Sequence, residues 1–82
     1  MSNEDKVREV LTEQGKLPGN VAELGIDDDL YQAGLTSHAS VNVMLAIEDE
    51  FDIEFPDEML KKSTFASIAA IDAAVQQIQS ES

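Results

Sequence analysis

The residues able to do chemistry crowd into "GLTSH", where Ser37 and His38 adjoin in a chain with no cysteine and a large excess of carboxylates. A serine beside a histidine suggests a nucleophile with its base, but neighbours on a helix point about 100° apart and cannot form that pair. The stretch also lacks the second glycine of a hydrolase elbow, and no strand pattern precedes it. His38 is therefore read as a surface or partner-facing residue. The acids suggest calcium instead, because "DDDLYQAGLTSH" opens with aspartates at alternate positions, as an EF-hand loop does. That reading fails at Gln32, where glycine is needed, and at His38, where a bidentate glutamate should stand. "DEFDIEFPDE" fails likewise, through a missing glycine and its proline. Carboxylates could supply an acid and a base, but no apolar pocket to tune them is expected, so a solvated face is the better account. No catalytic residue and no dedicated metal site are expected, only weak divalent-ion binding.

Ser37 itself remains. It stands where a loop becomes a helix, and the first turn of a helix offers unpaired N–H groups and a partial positive charge that suit a phosphate attached there. Gly34 permits close approach of another molecule or a backbone angle that other residues resist. Serine is also a favoured N-cap. Residue types alone leave both readings open, a cap with no other task or an attachment point.

The surroundings narrow the choice of partner. Eighty-two residues make one domain, spanning 1–82, with a thin core and no room for a deep cavity. Without cysteine, any thiol chemistry must be imported. No apolar run approaches a membrane span, and "MSNEDKVREV" lacks the basic start and apolar stretch of a secretory signal, so a soluble, cytoplasmic protein is expected. The formal charge of −12 disfavours nucleic acid and anionic membranes and favours partners with Lys or Arg patches. From Glu23 to Glu58 there are eleven acids and no Lys or Arg. This one-sided window is more informative than the total.

The elements that position Ser37 are helical. Ser2 can cap a first helix with Val7, Val10 and Leu11 on one face, ending near Gln14-Gly15. The loop from Lys16 to Thr36 contains the turn signal "LPGN" and is too long to be structureless, so a short turn of helix is placed at Leu30 to Ala33. Thr36 or Ser37 caps a helix running to about Phe51, with Val43, Met44, Ile47 and Phe51 toward the core. Pro56 opens a short helix through about Lys61. Ser63 or Thr64 caps a last helix carrying Phe65, Ile68, Ile71, Val75 and Ile78 on one face, before a polar tail at 79–82. The result is an all-α bundle. On the helix after Ser37, His38, Asn42, Leu45, Asp49 and Asp52 share the outward face. Leu45 there is either a lone exposed leucine or the apolar centre of a weak docking surface rimmed by acids.

"LYQAGLTS" is similar to the loop of the acyl carrier proteins and the related peptidyl and aminoacyl carriers, which ends in Gly-Leu/Met-Asp-Ser, with Gly34, Leu35 and Ser37 in matching places. "VMLAIEDEFDIEFPDE" and "STFASIAAI" resemble the second helix, the short third helix and the start of the fourth. The resemblance covers nearly the whole chain. It implies a four-helix bundle with a long loop between helices 1 and 2, and a monomer. It implies that a phosphopantetheinyl transferase attaches 4′-phosphopantetheine from coenzyme A to Ser37, with Gly34, Leu35 and Thr36 framing the site. The arm's thiol would then carry cargo as a thioester, received from an acyl- or aminoacyl-activating ligase and passed to a downstream acyltransferase. By the same resemblance the second helix is the docking element, through His38, Val41, Asn42, Leu45, Glu48 and Asp49. The family's usual Asp before the serine is Thr36 here, the bulky apolar residue after it is His38, and Asn42 replaces a frequent acid. These departures suit a specialised carrier of a short acyl or aminoacyl group more than general fatty-acid synthesis. The rival expectation is an unmodified acidic interaction module binding a basic partner, in which Ser37 has no special task.

Overall fold

The computed structural model describes residues 3–15, 17 and 19–81. Three α-helices dominate: α1 at Asn3–Val10, α2 at Ser37–Phe51 and α3 at Ile68–Glu81. No strand occurs among the described residues. The cap expected at Ser2 lies outside them, as do Lys16 at the start of the long loop, Pro18 of its turn signal and Ser82 of the tail. α1 runs on through a wider π-helical turn at Leu11–Gly15, so helical structure ends at Gly15 as the periodicity indicates. α1 packs on both α2 and α3.

The buried stripes follow helical spacing. Val7 and Leu11, Val43 and Ile47, and Ile68, Ile71 and Val75 are fully buried, joined by Leu30 from the long loop. Each such side chain contributes about 1.5–3 kcal/mol by leaving water. On α2 the core positions are Ala39, Val43 and Ile47, four residues apart, whereas Met44 and Phe51 are only half-buried at the edges of that stripe. Ile78, near the end of α3, is half-buried too.

The expected short third helix takes another form. It is reduced to two 3-10 turns, Asp57–Met59 and Lys62–Phe65. Pro56 holds an extended ψ of 157°, and Leu60 and Lys61 leave helical geometry again, so neither turn propagates. α3 starts later than the Ser63-Thr64 pair suggests. The Ser67 hydroxyl, not Ser63 or Thr64, accepts the Ala70 N–H at 3.1 Å. Thr64 and Phe65 are buried, and Phe65 meets Phe55 edge-to-face with ring centres 5.4 Å apart.

The long loop is anchored, which matters for what it carries. A 3-10 turn at Val21–Glu23 is tied to α1 by Arg8, whose Nη1 donates to the Val21 carbonyl at 2.8 Å. Farther on, the Leu30 N–H donates to the Ala66 carbonyl at 2.7 Å and the Ala69 N–H to the Ile26 carbonyl at 2.9 Å. Residues 30–34 form a hydrogen-bonded turn in place of the short helix expected there, closed by Leu35 N–H to the Leu30 carbonyl at 2.9 Å.

Candidate functional site

The start of α2 separates two roles that the sequence left merged. Thr36 is the N-cap: it is extended, and its Oγ1 accepts the Ala39 N–H at 3.0 Å. Ser37 is therefore the first helical residue, exposed, with its hydroxyl not spent on capping. Its carbonyl accepts the Ser40 hydroxyl at 2.7 Å. The Ser37 and His38 N–H groups lie in the part of the turn for which a helix has no internal partner, and they give this end its anion preference.

Gly34 has a φ of 122°, a backbone angle that a side chain would strain, so its glycine serves the turn. Leu30 and Leu35, both buried, pin the turn on either side. Ser37 thus follows a loop anchored by hydrogen bonds and two buried leucines, and is displayed at the surface. An open groove of about 220 Å³ adjoins it, between α2 and the two 3-10 turns. Val41, Met44, Leu60 and Phe65 give it an apolar lining, and Tyr31, Lys61 and Lys62 border it. The Lys62 Nζ stands 4.8 Å from the centre of the Tyr31 ring.

The positions singled out for docking divide by exposure. His38, Val41, Leu45 and Asp49 are exposed, Val41 at 51% and Leu45 at 53%. Asn42 is half-buried beside them. Glu48 faces elsewhere: it is half-buried, and its Oε2 accepts the Phe55 N–H at 2.8 Å, fastening the chain that leaves α2. The same exit has Asp52 in the left-handed conformation, with the Ile53 N–H bonded to the Glu48 carbonyl at 3.0 Å. In the loop, Asp28 accepts the Gly25 N–H and Asp29 the Tyr31 N–H, so these carboxylates shape turns. Sequence reasoning missed Tyr31, Leu60, Lys61 and Lys62. The available signal was the end of the acidic window at Glu58, followed by two adjacent lysines.

Comparison with known proteins gives a consistent result. Residues 5–71 match the family described as the phosphopantetheine attachment site. An aminoacyl carrier protein of Agrobacterium fabrum is 51% identical over 72 residues, covering 88% of this chain and 87% of that protein. A chain in the crystal structure of an engineered Bradyrhizobium japonicum glycine:carrier protein ligase, complexed with a carrier protein from Agrobacterium tumefaciens and ATP, is 49% identical, with a TM-score of 0.89 over 92% of this chain and 97% of that one. A chain in the structure of the Bradyrhizobium japonicum ligase with glycylated carrier protein is 25% identical, with a TM-score of 0.74 over 87% of this chain and 95% of that one.

Proposed function

Because the chain belongs to the carrier-protein family that bears a phosphopantetheine attachment site, we propose that Ser37 is the residue modified and that the cargo is an aminoacyl group. The observation that carries this reading is the division of labour at the start of α2, where Thr36 caps and Ser37 presents a hydroxyl at the surface. The residues fit the arm: the hydroxyl is accessible to a phosphopantetheinyl transferase, the first turn favours the phosphate, and a groove lies alongside. When bound, 4′-phosphopantetheine supplies a thiol, which this cysteine-free chain lacks, to hold cargo as a thioester.

The chain's own part is to present. Gly34, Leu35 and Thr36 fix Ser37 against the body of the domain, so that an arm there sweeps a bounded volume and cargo reaches a partner at high effective concentration. Its outward residues His38, Val41, Asn42, Leu45 and Asp49 meet that partner, with apolar contact at the centre and Asp49 toward partner Lys or Arg. The partner that loads it is an ATP-dependent, amino-acid-activating ligase, and a downstream acyltransferase unloads it. The chain catalyses neither step. A cytoplasmic setting suits a protein that draws on coenzyme A and ATP.

Intact-mass measurement tests the assignment. Incubation with coenzyme A and a promiscuous phosphopantetheinyl transferase adds one phosphopantetheine to the wild type and none to Ser37→Ala. Adding ligase, ATP and an amino acid then adds one aminoacyl group to the modified chain. A wild-type mass that never changes would instead favour an unmodified acidic module.

A further inference from the structure

Lys61 and Lys62 are out of keeping with the chain around them. With seventeen acids against five bases, each base has carboxylates in surplus, and Lys6 pairs with Glu50 at 3.6 Å and Arg8 with Glu4 at 3.2 Å. Among the described residues neither Lys61 nor Lys62 makes an ion pair. Both border the groove that also contains Ser37, and among the described residues no carboxylate lines that groove. Lys62 is held there by the Tyr31 ring, a contact that orients the ammonium and leaves its N–H donors for an anion. Tyr31 is itself fixed, since its N–H bonds to Asp29 in the turn that Leu30 anchors to Ala66. A phosphodiester on Ser37 would add negative charge to a chain already at −12. The N-terminus of α2 offsets part of that through its N–H groups. Among the described residues, the full positive charges on the groove are those of these two lysines.

We propose that Lys61 and Lys62 form a basic clip for the phosphodiester on Ser37, holding the root of the arm over the groove and off the acidic outer face of α2. The inference rests on Ser37 being the attachment point. Lysine suits the task because it acts as a point charge on a flexible stem and can release the arm when a partner competes for it. With the root clipped, the apolar side chains Val41, Met44 and Leu60 lie beneath the arm, and the thioester waits beside the groove when no partner is docked.

The test uses the modified protein with a nitroxide maleimide on the arm thiol, and reads paramagnetic broadening of the Val41, Met44 and Leu60 amides. In the wild type these amides broaden. In Lys61→Gln/Lys62→Gln the broadening falls by about two- to five-fold, the factor an exposed ion pair can supply. Lys61→Arg/Lys62→Arg restores it, which loss of packing alone would not allow. Thermal midpoints of the unmodified variants check that each folds. Intact mass before tagging separates the failures. A wild type that gains no mass overturns attachment and clip together. A modified glutamine variant with undiminished broadening, or a modified wild type with none, overturns the clip alone.

Discussion

The two flanks of Ser37 are built in opposite ways. Outward, α2 shows Leu45 with Asp49 and Asp52 beside it, and the acidic window places no base there. On the other side α2 meets the turns of residues 57–65 across an apolar groove bordered by Lys61 and Lys62. A net charge of −12 is therefore no uniform coat. Screening in physiological salt reaches only ~8 Å, so each flank feels its own composition more than the total. The acidic flank is suited to attract a basic partner, and the basic one to hold an anion already attached.

The largest effect that separates the flanks is expected at Leu45. If it is the centre of the docking surface, Leu45→Ala raises the KM for loading by the ligase about tenfold, the loss typical of a central apolar contact. The midpoint of thermal unfolding should hold, because the side chain is half in water. Asp49→Asn should act more weakly, mainly on association at low salt. Loading rates for Leu45→Ala and parent that coincide across ligase concentrations would remove this flank from the interface.

A smaller effect lies at the junction of the flanks. Thr36→Ala removes the bond to the Ala39 N–H and should cost about 1 kcal/mol in urea unfolding. Ser37→Ala, at an exposed hydroxyl that caps nothing, should stay within about 0.5 kcal/mol of the parent. Were the order reversed, Ser37 would be the cap and the separation of roles at this end would fail. Thr36→Asp retains an acceptor and should keep the stability.

How far the sequence discloses this arrangement follows from the reach of each signal. Periodicity marks α1, α2 and the last helix, because a buried stripe recurs every turn. It does not separate Met44 from Val43, since both lie within the apolar arc and only the packing of α1 and the turns decides which is covered. Thr36 and Ser37 are both good caps, and adjacency alone leaves them tied; the hydrogen bond to Ala39 breaks the tie. A three-residue turn such as Asp57–Met59 has no period to detect, which is why Pro56 suggests a longer helix than forms. Ser67 is hidden as a cap behind the earlier Ser63-Thr64 pair, whose Thr64 is buried. The groove is the least legible feature. Tyr31 and Lys62 are distant in sequence and meet where the fold joins Leu30 to Ala66.

The smallest expected effect tests the charge difference itself. Eleven acids between Glu23 and Glu58 repel one another in the folded chain, so added salt should raise the thermal midpoint of the unmodified protein, and magnesium should do so at lower concentration. A rise of about 4 °C corresponds to roughly 0.5–1 kcal/mol in a domain of this size. The lysines sharpen the measurement. If Lys61 and Lys62 offset part of that repulsion, Lys61→Gln/Lys62→Gln lowers the midpoint at low salt and converges on the parent at high salt. Parallel curves for the two proteins would mean that the basic border relieves no repulsion in the unmodified fold, and a midpoint indifferent to both salts would mean that the acids are too far apart, or too well hydrated, to strain the domain.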